Sequence, residues 1–100
     1  MTDKDYVAGI RAELGEDLIL SQLAEECAEL IQVCSKIIRN KTINVSMEPD
    51  QRARKHLLEE TADVLCCMDI AGLLDDPEQI YAIVDQKTAR WWSRLRHRRA

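Results

Sequence analysis

An all-α fold, in the form of a small antiparallel bundle of about four helices, follows from three features of this 100-residue sequence. Only three glycines (Gly9, Gly15, Gly72) and two prolines (Pro49, Pro77) interrupt the chain. The remainder is rich in Ala, Leu, Ile, Glu and Arg, a composition that favours helices. Apolar residues recur at steps of three and four, the period of a helix with one buried face. The length fits one domain over residues 1–100. A core this small gains from self-association, so a dimer or higher oligomer is expected.

The first helix is expected over about 3–14. Thr2 with Asp5 three positions on makes a capping-box arrangement, and Gly15 suits the stop. A second helix over about 17–39 carries Leu20, Leu23, Cys27, Leu30, Cys34 and Ile37 as its buried stripe. Residues 40–48 read as a loop. A third helix starts at Pro49, a residue favoured at the first helical position, and runs to about Leu74. Asp75-Asp76-Pro77 breaks it. Asp76 as N-cap, Pro77 as first residue and Gln79 as capping-box partner then open a fourth helix, expected to run to about 95 with the last residues frayed. The short connections suit an antiparallel bundle.

No apolar run approaches the ~20 residues that span a bilayer. The opening MTDKDY lacks a basic segment followed by an apolar core, so no signal peptide is expected. Cys27, Cys34, Cys66 and Cys67 form no C-x-x-C pair and no zinc-type spacing. They read as reduced, buried thiols of a cytoplasmic protein. The net charge of −4 is unevenly placed. Residues 90–100 hold five arginines and no acid, leaving nine basic and eighteen acidic side chains elsewhere. Such segregation points to an interaction tail, 94–100, or to phosphate contacts.

A short acidic segment occurs twice. LAEECAELI at 23–31 and LLEETADVL at 57–65 align at an offset of 34 residues. Leu23, Glu25, Glu26 and Ala28 match Leu57, Glu59, Glu60 and Ala62, while Glu29 answers Asp63. At 100° per residue, Glu26 and Glu60 fall about 60° from the leucine that opens each copy, and Glu29 and Asp63 about 120°. Both helices therefore carry acids on the same flank of their buried stripe. In an antiparallel pair, Glu26, Glu29, Glu60 and Asp63 converge. An ordinary solvated face places Lys or Arg four residues after Glu. Here Glu25 meets Glu29 and Glu59 meets Asp63 at that spacing, like-charge pairs costing roughly 0.2–0.5 kcal/mol each. A bound cation is the simplest compensation. All-carboxylate ligands suit Mg²⁺ or Mn²⁺, and less decisively Ca²⁺. Lys36 lies about two turns beyond Glu29 at nearly the same phase, where a cation serves either a phosphate or the solvent. His56, four residues before Glu60, reads as an exposed helix residue close enough to touch the site.

EECAE at 25–29 followed by ETAD at 60–63 resembles the EExxE…ExxD signature of the MazG-like all-α nucleoside triphosphate pyrophosphohydrolases. GEDLILSQLAEECAELIQVCSK, residues 15–36, looks like that family's first motif helix with its approach. DQKTARWW, residues 85–92, is similar to its Asn-x-Lys-Phe-x-Arg-Arg segment. Asp85, Thr88 and Trp91 depart from that pattern, while Lys87 and Arg90 stand. The resemblance implies Mg²⁺-dependent cleavage of an NTP or dNTP to the nucleoside monophosphate and pyrophosphate. It implies Glu26, Glu29, Glu60 and Asp63 on the metal, and Glu29 or Glu25 as the carboxylate that positions or deprotonates the attacking water. It further implies Lys87 and Arg90 on the phosphates. Lys36, by its phase, and Arg94, four residues beyond Arg90, are further phosphate candidates, although both read more readily as ordinary surface charges. Trp91 and Trp92 adjoin the Lys87/Arg90 segment, where one of them, Trp91 foremost, suits base stacking, although a tryptophan on a helix of a small bundle is more often a core or dimer contact. The resemblance implies at least a dimer, so a homodimer or homotetramer is expected; no membrane partner is expected, and the overall acidity of the chain disfavours nucleic acid.

Two alternatives stand beside this reading. Phosphoribosyl-ATP pyrophosphohydrolases share the acidic signature, but their motifs sit closer together than the 30 residues separating Glu29 from Glu60. A nonenzymatic helical module would use the Arg-rich tail on nucleic acid and leave the acids as solvated surface.

Overall fold

The computed structural model describes residues 3–43 and 51–99, and every regular element among them is helical. The helices are α1 (Asp3–Leu14), α2 (Glu16–Ile43), α3 (Gln51–Ile70) and α4 (Pro77–Arg99). The all-α expectation holds, with four helices. Thr2 and Pro49, expected to open α1 and α3, lie outside the described residues.

Two glycines set the corners. Gly15 adopts φ +79°, a left-handed conformation that L side chains reach only with strain. Its N–H donates to the Arg11 carbonyl at 3.1 Å and its own carbonyl accepts from Ile19 N–H at 3.2 Å. One residue thus ends α1 and begins α2. Gly72, at φ +80°, ends α3 earlier than the sequence reading placed it. Leu73 N–H reaches back to Met68 O and Gly72 N–H to Asp69 O, both at 3.0 Å. This nested pair of bonds satisfies the last carbonyls of a helix and stops it. Residues 71–74 are therefore turn, not helix. At the start of α4, Gln79 N–H donates to Asp76 Oδ1 at 3.1 Å, as the N-cap reading expects.

Two helices outrun their expected ends. α2 continues through Lys41 to Ile43, because Asn40, Lys41 and Thr42 are polar but break nothing. α4 continues to Arg99 where fraying was expected. His97 Nδ1 lies 2.9 Å from Ser93 O, and the Arg96 guanidinium sits 5.7 Å from the Trp92 ring centre.

α2 and α3 form an antiparallel pair. Ile37 and Ala53 line one cavity near the end of α2, and Ile19 and Ala71 line another near its start. Six pairs of half-buried or buried positions obey the 34-residue offset: Ile19/Ala53, Leu23/Leu57, Glu26/Glu60, Leu30/Val64, Val33/Cys67 and Ile37/Ala71, whereas Cys27, Met68 and Ile70 are half-buried with exposed counterparts. The repeat is thus a repeat of packing, and relates the two helices by an approximate local twofold. The contact stripe is turned about 40° toward the glutamates from the stripe read off the leucines. Val33 is buried in place of Cys34, and both Leu20 and Cys34 are exposed. Among the cysteines only Cys27 and Cys67 are half-buried, so the expectation of four buried thiols fails for Cys34 and Cys66.

α1 closes one end of this pair. Arg11 Nε donates to Ile70 O at 2.8 Å and Nη2 donates to Asp69 O at 3.0 Å. The same nitrogen lies 3.3 Å from Asp75 Oδ1. One guanidinium thereby caps the negative end of α3 and holds α1 and the 71–75 turn against it. α4 stands apart. Among the described residues, no Cα of α4 comes within 8 Å of a Cα in another helix. The radius of gyration is 17.6 Å, against about 13 Å for a compact 100-residue domain. Within one chain the bundle is three packed helices with a fourth projecting from it.

A Cβ added at Gly72 would meet Asp75 Oδ2 at 3.3 Å and Arg11 Nη2 at 3.7 Å, whereas one at Gly15 meets nothing within 4 Å. Both substitutions carry the left-handed penalty of about 1–2 kcal/mol. Gly72→Ala also disturbs the Arg11 clamp, so urea denaturation should show it less stable than Gly15→Ala.

Candidate metal centre

The turn of the α2–α3 contact toward the glutamates carries Glu26 and Glu60 into the interface. Both are half-buried, and Glu60 keeps only 13% of its side-chain surface exposed. Each glutamate has one oxygen, Oε2, shut off from solvent with no hydrogen-bond donor. Buried polar atoms are rarely left so, and two in neighbouring carboxylates call for a missing partner. Asp63 stands one turn beyond Glu60. Glu26, Glu60 and Asp63 each offer an oxygen, all within 4.8 Å of one another.

The remaining oxygens have identifiable partners. Gln22 Nε2 donates to Glu26 Oε1 at 3.0 Å, orienting that carboxylate from one turn back along α2. His56 Nε2 lies 3.3 Å from Glu60 Oε1 and does the same on α3. Gln22 and His56 are related by the 34-residue offset, so the repeat extends to the groups that steady the acids. Burial pushes the Glu26 carboxyl above its ordinary value, the Gln22 hydrogen bond opposes this, and the negative charges of Glu29 and Asp63 push it further up. Burial likewise raises the Cys67 thiol, with Cys66, Glu26, Asp63 and Cys27 adding to it. At neutral pH that thiol stays protonated and acts as a small apolar side chain.

The donor set fits a hard divalent cation. Octahedral oxygens at ~2.1 Å from Mg²⁺ would lie ~3.0 Å (cis) or ~4.2 Å (trans) apart, so three carboxylates already within 4.8 Å of one another would need side-chain shifts of at most about 1 Å to close on such an ion. The triad would hold the ion, with water and substrate oxygens completing its shell.

The other residues singled out from the sequence lie at varying distances from this centre. Glu29 neighbours Glu26 but is exposed and outside the triad. Glu25 is exposed on the outer side of α2, as is Glu59 on α3. Lys36 lines a cavity that also reaches His56. Lys87, Arg90, Trp91 and Arg94 are all on α4, exposed and not assembled with the acids in a single chain. Sequence reasoning did not single out Gln22 or Arg52. Their signal was positional: Gln22 precedes Glu26 by one turn, and Arg52 precedes His56 by one turn.

No protein-family model, no curated protein and no solved structure matches this chain.

Glu26 gives a signed pH prediction. Its folded pKa lies above the ordinary 4.5, so its contribution to stability is present below that value and is lost as pH rises through the raised pKa. Without divalent ions, Glu26→Gln should therefore be more stable than the unchanged chain at pH 7, with the gain vanishing near pH 4. Added Mg²⁺ should raise the Tm of the unchanged chain and not that of the variant. Thermal melts across pH, with and without Mg²⁺, read both.

Proposed function

We propose that this chain is a Mg²⁺-dependent nucleoside triphosphate pyrophosphohydrolase, using Mn²⁺ as an alternative metal and converting an NTP or dNTP to the nucleoside monophosphate and pyrophosphate. The observation that carries the proposal is the pair of buried, donorless oxygens on Glu26 and Glu60 beside Asp63. Carboxylates alone repel a polyphosphate. A bound divalent cation neutralises them, gathers phosphate oxygens and offsets charge on the leaving group. Glu26, Glu60 and Asp63 supply the ligands, and Gln22 and His56 fix the orientation of two of them. Glu29, adjacent to Glu26 but outside the triad, is better placed than Glu25 to hold the attacking water and take its proton. The water oxygen bonds to the α-phosphorus, the α–β bridging bond breaks, and its electron pair leaves with pyrophosphate.

The proposal includes a homo-oligomer. Trp91 and Trp92 are 70% and 58% exposed, and Ile83, Val84, Trp91 and Leu95 fall on one side of α4 at helical spacing. Ile31 and Ile38 on α2, and Leu58 and Leu65 on α3, form further exposed apolar seams at seven-residue spacing. The apolar side of α4 is the feature expected of a contact with another chain. The basic end of α4 complements the acidic balance of the remaining chain, so a second copy is a suitable occupant. In such an assembly Lys87, Arg90 and Arg94 of one protomer can approach the acids of its partner. A cytoplasmic location agrees with the absence, among the described residues, of any helix long and apolar enough to cross a membrane.

The decisive measurement is pyrophosphate release from a full panel of NTPs, dNTPs and phosphoribosyl-ATP with Mg²⁺ or Mn²⁺. Glu26→Gln and Glu60→Gln should each lose at least ~100-fold, since even groups behind the ligands of a metal cost 10–100-fold. Release from no member of the panel, or full activity in both variants, would sink the reading. Sedimentation gives the separate expectation for assembly: Trp91→Glu should shift the chain to monomer while its helical circular dichroism persists.

A further inference from the structure

The α2–α3 pair has two ends related by its local twofold, and the ends differ. At the Ile19/Ala71 end, α1 packs and Arg11 is engaged with Asp69, Ile70 and Asp75. At the Ile37/Ala53 end no helix packs among the described residues. There a cavity of 310 Å³ opens, with Val33, Ile37 and Ala53 on its apolar part and Lys36, Asn40, Arg52 and His56 as its polar lining. In a chain of net charge −4, no described acid lines it.

We propose that this cavity is a phosphate subsite, holding the terminal phosphates of the substrate and then the pyrophosphate product. This rests on the pyrophosphohydrolase reading for the identity of the substrate. Four arguments carry it. The size reaches the ~300 Å³ at which small-molecule sites begin. Lys36 makes no ion pair among the described residues, so its charge is available to an anion. His56 belongs to both places, lining the cavity while its Nε2 lies 3.3 Å from Glu60 Oε1. The cavity therefore begins where the carboxylate triad ends. Finally, Glu60, His56 and Arg52 follow at one-turn steps on α3, so the cavity lies about 6–12 Å along the helix from the triad, the reach of a short polyphosphate. Lys87, Arg90 and Arg94 have no such connection within the chain, whereas Lys36 and Arg52 need no second protomer.

The test uses the full chain, inorganic pyrophosphate as the probe, and excess Mg²⁺, followed by titration calorimetry. The unchanged chain should bind pyrophosphate, and Lys36→Ala and Arg52→Ala should each weaken it roughly 10- to 100-fold, the value of a charged hydrogen bond. Lys36→Arg should recover most of the loss. The Mg²⁺-dependent rise in Tm should remain in all three variants, which separates loss of the cavity from loss of the triad or the fold. No binding by the unchanged chain, or equal binding by the Ala variants, overturns the assignment. Nucleotide turnover with pyrophosphate affinity untouched by the variants removes the subsite and leaves the enzyme reading intact. Pyrophosphate binding lost in the variants, in a chain that turns over no nucleotide, keeps the anion site and removes the enzyme reading.

Discussion

The antiparallel contact of α2 with α3 is the constraint on which the remainder rests, and its unusual property is that a glutamate from each helix lies inside it. A contact stripe centred on the leucines would have left Glu26 and Glu60 at its wet margin. The observed stripe is rotated toward them, which shuts one oxygen of each from solvent and gives it no donor. Removing ionised carboxylates from water is costly unless a counter-charge meets them. The packing that forms the core thus places a donorless carboxylate oxygen from each helix inside it, and the proposed metal site and its chemistry start from that pair.

Much of this was legible in the sequence for identifiable reasons. Gly15 and the Asp76-Pro77 pair are local signals, and local hydrogen bonds realise them. The convergence of Glu26, Glu60 and Asp63 was legible because the acids repeat at a fixed phase on both helices. The exact rotation of the interface was not. Leucines and cysteines define a broad arc, and which edge of it packs depends on the partner helix, so Val33 displaced Cys34. The end of α3 was misplaced because Gly72 was passed over in favour of the Asp-Asp-Pro run three residues on. The isolation of α4 has no local signal at all: an apolar stripe says that something is covered, and not by which chain.

The 34-residue offset gains a physical meaning from the structure. It relates the buried positions, the two cavities at the ends of the α2–α3 pair, and the pairs Gln22/Glu26 and His56/Glu60 that steady the carboxylates. Near-symmetry of this kind places two similar ligand arms around one point, as a metal centre requires. α1 breaks the symmetry by covering one end, and Arg11 is the residue that fastens it there. What differs between the halves is therefore as informative as what repeats: an end covered by α1 and fastened by Arg11, and an end with no helix packed on it among the described residues, lined by Lys36, Arg52 and His56.

The detachment of α4 also determines what light will report about this molecule. Trp91 and Trp92 are the only tryptophans, and both sit on α4, whose Cα atoms come within 8 Å of no other helix among the described residues. Indole emission therefore senses the surroundings of α4 and its neighbours in an assembly, and is nearly blind to the three packed helices that hold the carboxylates. Unfolding followed by fluorescence and by far-ultraviolet circular dichroism will monitor different parts of the same sample, and a mismatch between the two curves would report α4 and the three packed helices melting separately, a departure from two-state behaviour.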